Sequence, residues 1–137
     1  MKRFWLGALV GLNCSPARES DITQFRLSQG LEELPSSYEG FLRVAGAGCG
    51  ELWVGSDVFL PHRFDLREAA EELLAENGVD SDVLQAHDLV IGMHQGYQFL
   101  YLSSLSSDPP VFRWSEGGGV QQVGASFTSF VLDLLPS

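Results

Sequence analysis

The spacing of apolar positions changes near the middle of this chain. In the first half, apolar side chains recur three and four residues apart. From residue 89 onward they come in short runs divided by turn residues. The first spacing belongs to helices that bury one stripe, the second to strands. It predicts a helix over 21–29, with Ile22 and Phe25 on one face, Ser20 or Asp21 as cap and Gly30 as stop. A second helix carries Tyr38, Phe41, Leu42 and Ala45 at i, i+3, i+4 and i+7, opened by a Ser36/Glu39 capping box and ended by Gly46. A third opens on an Asp65/Glu68 box, buries Leu66, Ala69, Ala70, Leu73 and Leu74, and closes at Asn77-Gly78.

Large and β-branched residues predict a short strand over 51–54, followed by a loop or irregular strand over 56–64 that contains Pro61. Strands over 89–93 and 97–102 are joined by the turn His94-Gln95-Gly96, with Gly96 free to take a positive φ. After a polar loop over 103–110, strands at 111–114 and 120–123 flank a glycine-rich turn. Ser126 caps a last helix with Phe127, Phe130, Val131 and Leu134 on one side. The expected fold is α+β: N-terminal helices, a largely antiparallel twisted sheet of about five strands, and a C-terminal helix packed on the sheet. No repeat, linker or coiled coil divides the chain, so 1–137 reads as a single domain.

The N-terminus has two readings. Lys2-Arg3, the apolar run from Phe4 to Leu12 and Ser15-Pro16-Ala17 have the order of a signal peptide. Trp5, Ala8, Leu9 and Leu12 also fit helical spacing, as a peripheral core segment would. The run is far shorter than the roughly twenty residues that span a bilayer. Cys14 and Cys49 match no zinc pattern and make no disulfide framework, which predicts two reduced thiols and a cytoplasmic protein.

Charge narrows the partners. Acidic residues number 18 and basic ones 8, a formal net charge of −10. Such a chain repels nucleic-acid backbones and anionic membrane surfaces. Its natural complement is a basic protein.

Candidate chemistry is sparse. His62, His87 and His94 are widely spaced, with no HxH or HExxH pattern, so neither metal nor cofactor is expected. No GxSxG elbow is present. Cys49 lies in the glycine-rich stretch 46–50, which matches neither a cysteine-protease signature nor a phosphate-binding loop. Glu68/Glu72 and Glu72/Glu76 lie at i, i+4 on the third helix, the pattern of a solvated acidic face and a dock for a basic protein. Tyr97, Phe99 and Tyr101 alternate and share a strand face. No residue is assigned a catalytic role.

Several of these segments recur in one order. They are Leu34-Pro35, Tyr38 and Phe41-Leu42, a glycine-rich exit, the hairpin from Gly92 to Phe99, Pro110-Val111-Phe112-Arg113-Trp114, and Ser126-Phe127-Thr128-Ser129-Phe130. That order, over about 12–135, resembles the SUKH superfamily, the Smi/Knr-like family of bacterial toxin-immunity proteins and yeast cell-wall-assembly regulators. One departure stands out: the family's usual Asn-Gly-Gly after the second helix is here Ala45-Gly46-Ala47-Gly48. The resemblance implies a non-enzymatic protein-binding domain, an intracellular immunity protein that neutralises a polymorphic toxin, often a nuclease. A regulatory interaction domain is the alternative, and a small hydrolase a distant third. It also implies a partner surface on loops beside the sheet, here Asp57, His94 and Gln95 with Tyr97 or Trp114 as an aromatic anchor; the other reading is that Tyr97 and Trp114 pack in the core while His94 and Gln95 only form the turn. The alternative surface is the acidic helix face of Glu68, Glu71, Glu72 and Glu76.

Overall fold

Trp5 is fully buried, 0% exposed, with its indole N–H donating to the Ser37 carbonyl at 2.8 Å. The ring belongs to α1 (Lys2–Ala8), which buries Trp5 on one face, while Phe4 and Leu6 are exposed. The computed structural model describes residues 1–50, 52, 56–57 and 65–135, with the backbone alone at Ser56, Asp57 and Ser81. Four further helices follow: α2 (Glu19–Ser28), α3 (Ser36–Ala45), α4 (Leu66–Glu76) and α5 (Phe127–Leu134). The strands are β1 (Cys14–Ser15), β2 (Gly48–Cys49), β3 (Ser56–Asp57), β4 (Asp88–His94), β5 (Gln98–Ser103), β6 (Val111–Ser115) and β7 (Gly119–Gly124). β3 to β7 form one antiparallel five-stranded sheet in chain order, and β1 pairs with β2 in a small separate one. This is the expected α+β architecture. Of the expected strand over 51–54 only Leu52 is described, in a turn, and residues 58–64, with Pro61 and His62, lie outside the described residues.

The helical layer is held by aromatic rings meeting edge to face. Trp5 lies 5.3 Å from Phe41 and 5.8 Å from Phe127, and Tyr38 lies 5.3 Å from Phe127. Each such ring contributes about 1.5–3 kcal/mol by burial alone. Phe41 and Phe127 thus tie α3 to α5, while Trp5 ties α1 to both. The helix pair α1–α3 comes close because Gly40 has no side chain: a Cβ there would stand 2.7 Å from Met1 Cβ and 2.9 Å from the Met1 carbonyl carbon.

β4 is buried from Asp88 to Met93, without alternation, as a strand covered on both faces must be. α4 packs on β4, and α5 packs on β7. On one sheet face Phe99 stacks on Trp114 at 5.7 Å and Tyr101 on Phe112 at 5.6 Å.

Three of the four expected helix caps differ. α2 begins at Glu19 with Arg18 as its N-cap, so Ser20 and Asp21 are already helical. Pro35 is the N-cap of α3, so Ser36 is already helical, and its hydroxyl donates to the Ser107 carbonyl at 3.4 Å instead of closing a box with Glu39. Asp65 is the N-cap of α4 but its side chain makes no capping bond to the helix, because its backbone (φ −96, ψ 26) is not extended as a capping box requires. Ser126 is extended and does form a box, with Ser129 as its partner.

The cysteines correct another expectation. Cys14 and Cys49 are register partners across β1 and β2 and form a disulfide. They lie 35 residues apart in sequence, and only the pairing of two-residue strands brings them together. Among the described residues no helix is long and apolar enough to cross a membrane.

Candidate binding site

The turn between β4 and β5 is tight. Gln95 and Gly96 both take positive φ, at 50° and 75°, as the central residues of a turn in which the Tyr97 N–H donates to the His94 carbonyl at 3.2 Å; with Tyr97 they make the three-residue connection between the paired His94 and Gln98. Glycine accepts this freely; for Gln95, the one non-glycine with positive φ among the described residues, it costs about 1–2 kcal/mol. The result is a projecting tip. Gln95 is exposed at its end, and Tyr97 is 40% exposed, its ring set edge-on to His94 at 5.9 Å.

Of the five residues expected at this surface, the tip gathers three: His94, Gln95 and Tyr97. The backbone of Asp57 lies nearby, because β3 pairs Ser56 with His94 and Asp57 with Met93; the Asp57 side chain lies outside the described residues. Trp114 does not join the exposed set. It is the register partner of Phe99, is 3% exposed and lies stacked in the core. Phe99 and Tyr101 are buried too, so only Tyr97 of the alternating stripe reaches the surface. Behind the tip, burial and then the charge of Asp88 push the Tyr101 phenol up, keeping it a neutral core group.

The alternative surface, the outer face of α4, has Glu68, Glu71, Glu72 and Glu76 all exposed, opposite the buried Leu66, Ala70, Leu73 and Leu74. Arg67 donates to Glu71 at 3.0 Å, which leaves the face with a net negative charge. The structure connects this face to the tip. Asn77, next after Glu76, donates from its side chain to the Glu116 carboxylate at 3.1 Å. The Glu116 backbone N–H in turn donates to the Tyr97 carbonyl at 3.0 Å. The exposed aromatic and the acidic helix are therefore two ends of one surface, with Glu116 between them. Sequence reasoning had placed Glu116 only in a glycine-rich turn. Its carboxylate beside Gly117 was the sole local sign of a role.

On the other sheet face, a groove of about 230 Å³ runs between the sheet and α5. Leu100, Phe130 and Leu134 line it with apolar surface, and His94, Gln98 and Arg113 contribute polar groups. Arg113 donates to Gln121 at 2.9 Å, while its buried Nε has no partner. The groove has room for one inserted side chain.

Among the described residues no three His, Cys, Asp or Glu side chains gather as a metal site. What the surface offers is an aromatic ring, carboxylates and hydrogen-bonding groups, all of them usable in recognition.

No curated protein matches the chain significantly. Residues 16–133, from just after β1 to within α5, match the SMI1 / KNR4 family (SUKH-1). That span contains the hairpin tip, α4 and Glu116, and a protein-interaction or immunity-type domain is the general reading it supports. The chain belongs to the SMI1 / KNR4 family (SUKH-1).

Proposed function

We propose that this protein is a single non-enzymatic binding domain, and that it works as an intracellular immunity protein that neutralises a basic toxin domain, such as a nuclease. The observation that carries the reading is the continuous surface from Tyr97 through Glu116 to the carboxylates of α4. Exposed tyrosines are enriched among the residues that dominate binding energy. Carboxylates around one steer a cationic partner and fix its register. The net charge of −10 has the same sign. A cytoplasmic site of action belongs to this proposal on the strength of the family resemblance alone, because the cysteines no longer argue for it.

The test is binding to the basic product of a neighbouring toxin gene, by calorimetry at low and high salt. Three variants are compared: Tyr97→Ala, Glu68→Gln with Glu72→Gln, and Asp57→Asn with Gln95→Ala. Tyr97→Ala is expected to weaken binding at least tenfold, about 1.4 kcal/mol. The Glu pair is expected to slow association and flatten the salt dependence. Full affinity in all three variants overturns the surface. A regulatory domain with a non-toxin partner is distinguished by the absence of protection in a toxin co-expression assay while other binding persists.

A further inference from the structure

β7 is the outer strand of the sheet, and among the described residues its only strand neighbour is β6. Gly119, Val120, Gln121 and Gln122 are all exposed, Val120 by 50%. A strand in this position presents a row of backbone N–H and C=O groups to solvent. Edge strands are ordinarily blunted by lysine or another charge, by proline, by shortness or by a bulge. The opposite edge, β3, spans Ser56–Asp57 among the described residues. β7 is six residues long, about 20 Å, and reads Gly-Val-Gln-Gln-Val-Gly, with no charge and no proline. Its one irregularity, a register shift against Val111 and Phe112, lies at its far end and leaves Gly119 to Gln122 in regular pairing.

We propose that β7 is a docking edge for a second copy of this chain, joined antiparallel about a two-fold axis through the sheet. A two-fold pairing of this kind keeps the faces aligned. Val120 and Gln122 are the register partners of Trp114 and Phe112, so an apolar shelf of Phe112 and Val120 runs up to the edge and continues into that of the second copy. Two-fold pairing also sets one residue opposite its own image. With the centre at Gln121 or Gln122, that residue is a carboxamide, which is donor and acceptor at once and therefore complements itself. The edge has no carboxylate to attract a basic strand, whereas its neutrality lets two copies meet without like charges in contact. The rest of the molecule works against this, since each copy carries −10. The dimer is accordingly weak in dilute salt and tighter when that long-range repulsion is screened. This association is separate from the surface around Tyr97 and stands whether or not that surface binds a toxin.

The test is sedimentation of the purified protein from micromolar to millimolar concentration, at low and high salt, with hydrogen exchange read at both ends of the range. A dimer that strengthens severalfold with salt and protects β7 amides is the expected result. Val120→Lys and, separately, Gln122→Glu are expected to weaken it at least tenfold, with unchanged circular dichroism. A monomer throughout at high salt overturns the proposal. So does a dimer that is indifferent to both substitutions or leaves the β7 amides unprotected.

Discussion

The side-chain amide of Gln29 is bound to both backbone groups of Val90. Its Nε2 donates to the Val90 carbonyl at 2.9 Å, and the Val90 N–H donates to its Oε1 at 3.1 Å. Among the described residues β3 pairs with Met93 and His94, and farther along β4 the backbone groups of Val90 are taken by this glutamine. Gln29 is the C-cap of α2 and is buried, and its amide therefore locks the helical layer to the sheet.

Gln29→Leu keeps the bulk and removes both bonds, leaving a donor and an acceptor of Val90 buried without partners. The expected cost is about 2–4 kcal/mol. Urea unfolding at constant slope measures it, and an unchanged midpoint would refute the clamp.

Tyr38 makes a different prediction. Its hydroxyl is buried and has no hydrogen-bond partner, and burial pushes the phenol well above its ordinary value of 10.0. A folded-state value above the unfolded one means that stability is complete below about pH 10 and falls as pH rises further. Tyr38→Phe removes that liability together with an unsatisfied polar atom. It is expected to keep or raise stability by up to about 1 kcal/mol at neutral pH and to move alkaline unfolding upward. Thermal melts at neutral and alkaline pH decide this, and equal losses in both proteins would count against it.

Gly40→Ala sets two effects against each other. Alanine favours a helix over glycine by about 1 kcal/mol. The new Cβ, however, meets Met1 Cβ and carbonyl carbon within 3 Å and the Lys2 backbone nitrogen at 3.0 Å. Displacing α1 to relieve this disturbs Trp5, so the net result is a loss of about 1–3 kcal/mol. A lower midpoint with altered tryptophan fluorescence is expected; a higher midpoint would show that α1 yields without cost.

The Cys14–Cys49 bond closes a loop of 35 residues. Loop-closure entropy assigns such a link about 3–4 kcal/mol. Reductant is expected to lower the melting temperature, Cys14→Ser with Cys49→Ser to match that loss, and reductant to do nothing more to the double variant. Thiol counting on protein taken rapidly from cells shows whether the bond is closed where the protein works; two free thiols there would restore the cytoplasmic argument from cysteine usage.

Local periodicity made much of the fold legible. The stripe Tyr38, Phe41, Leu42 and Ala45 is buried on α3 as its spacing requires, and Gly96 turns the hairpin it was expected to turn. The acidic residues of α4 are exposed for the same reason, since its apolar stripe fixes the opposite face. The features that escaped depend on register between distant segments. Nothing near Trp114 reveals that it stands opposite Phe99, and that pairing is what removes it from the surface. Gln29 meets Val90 across 61 residues and Asn77 meets Glu116 across 39, each through a side chain of ordinary polar type in a cap or turn. Such contacts leave no period in the sequence.

The buried Trp5 has a practical consequence for anyone handling this protein. Trimming the first residues would take out an aromatic that touches both Phe41 and Phe127, along with the bond to Ser37. Met1, by contrast, is half exposed, and purification tags belong ahead of it, on a linker long enough to clear Gly40.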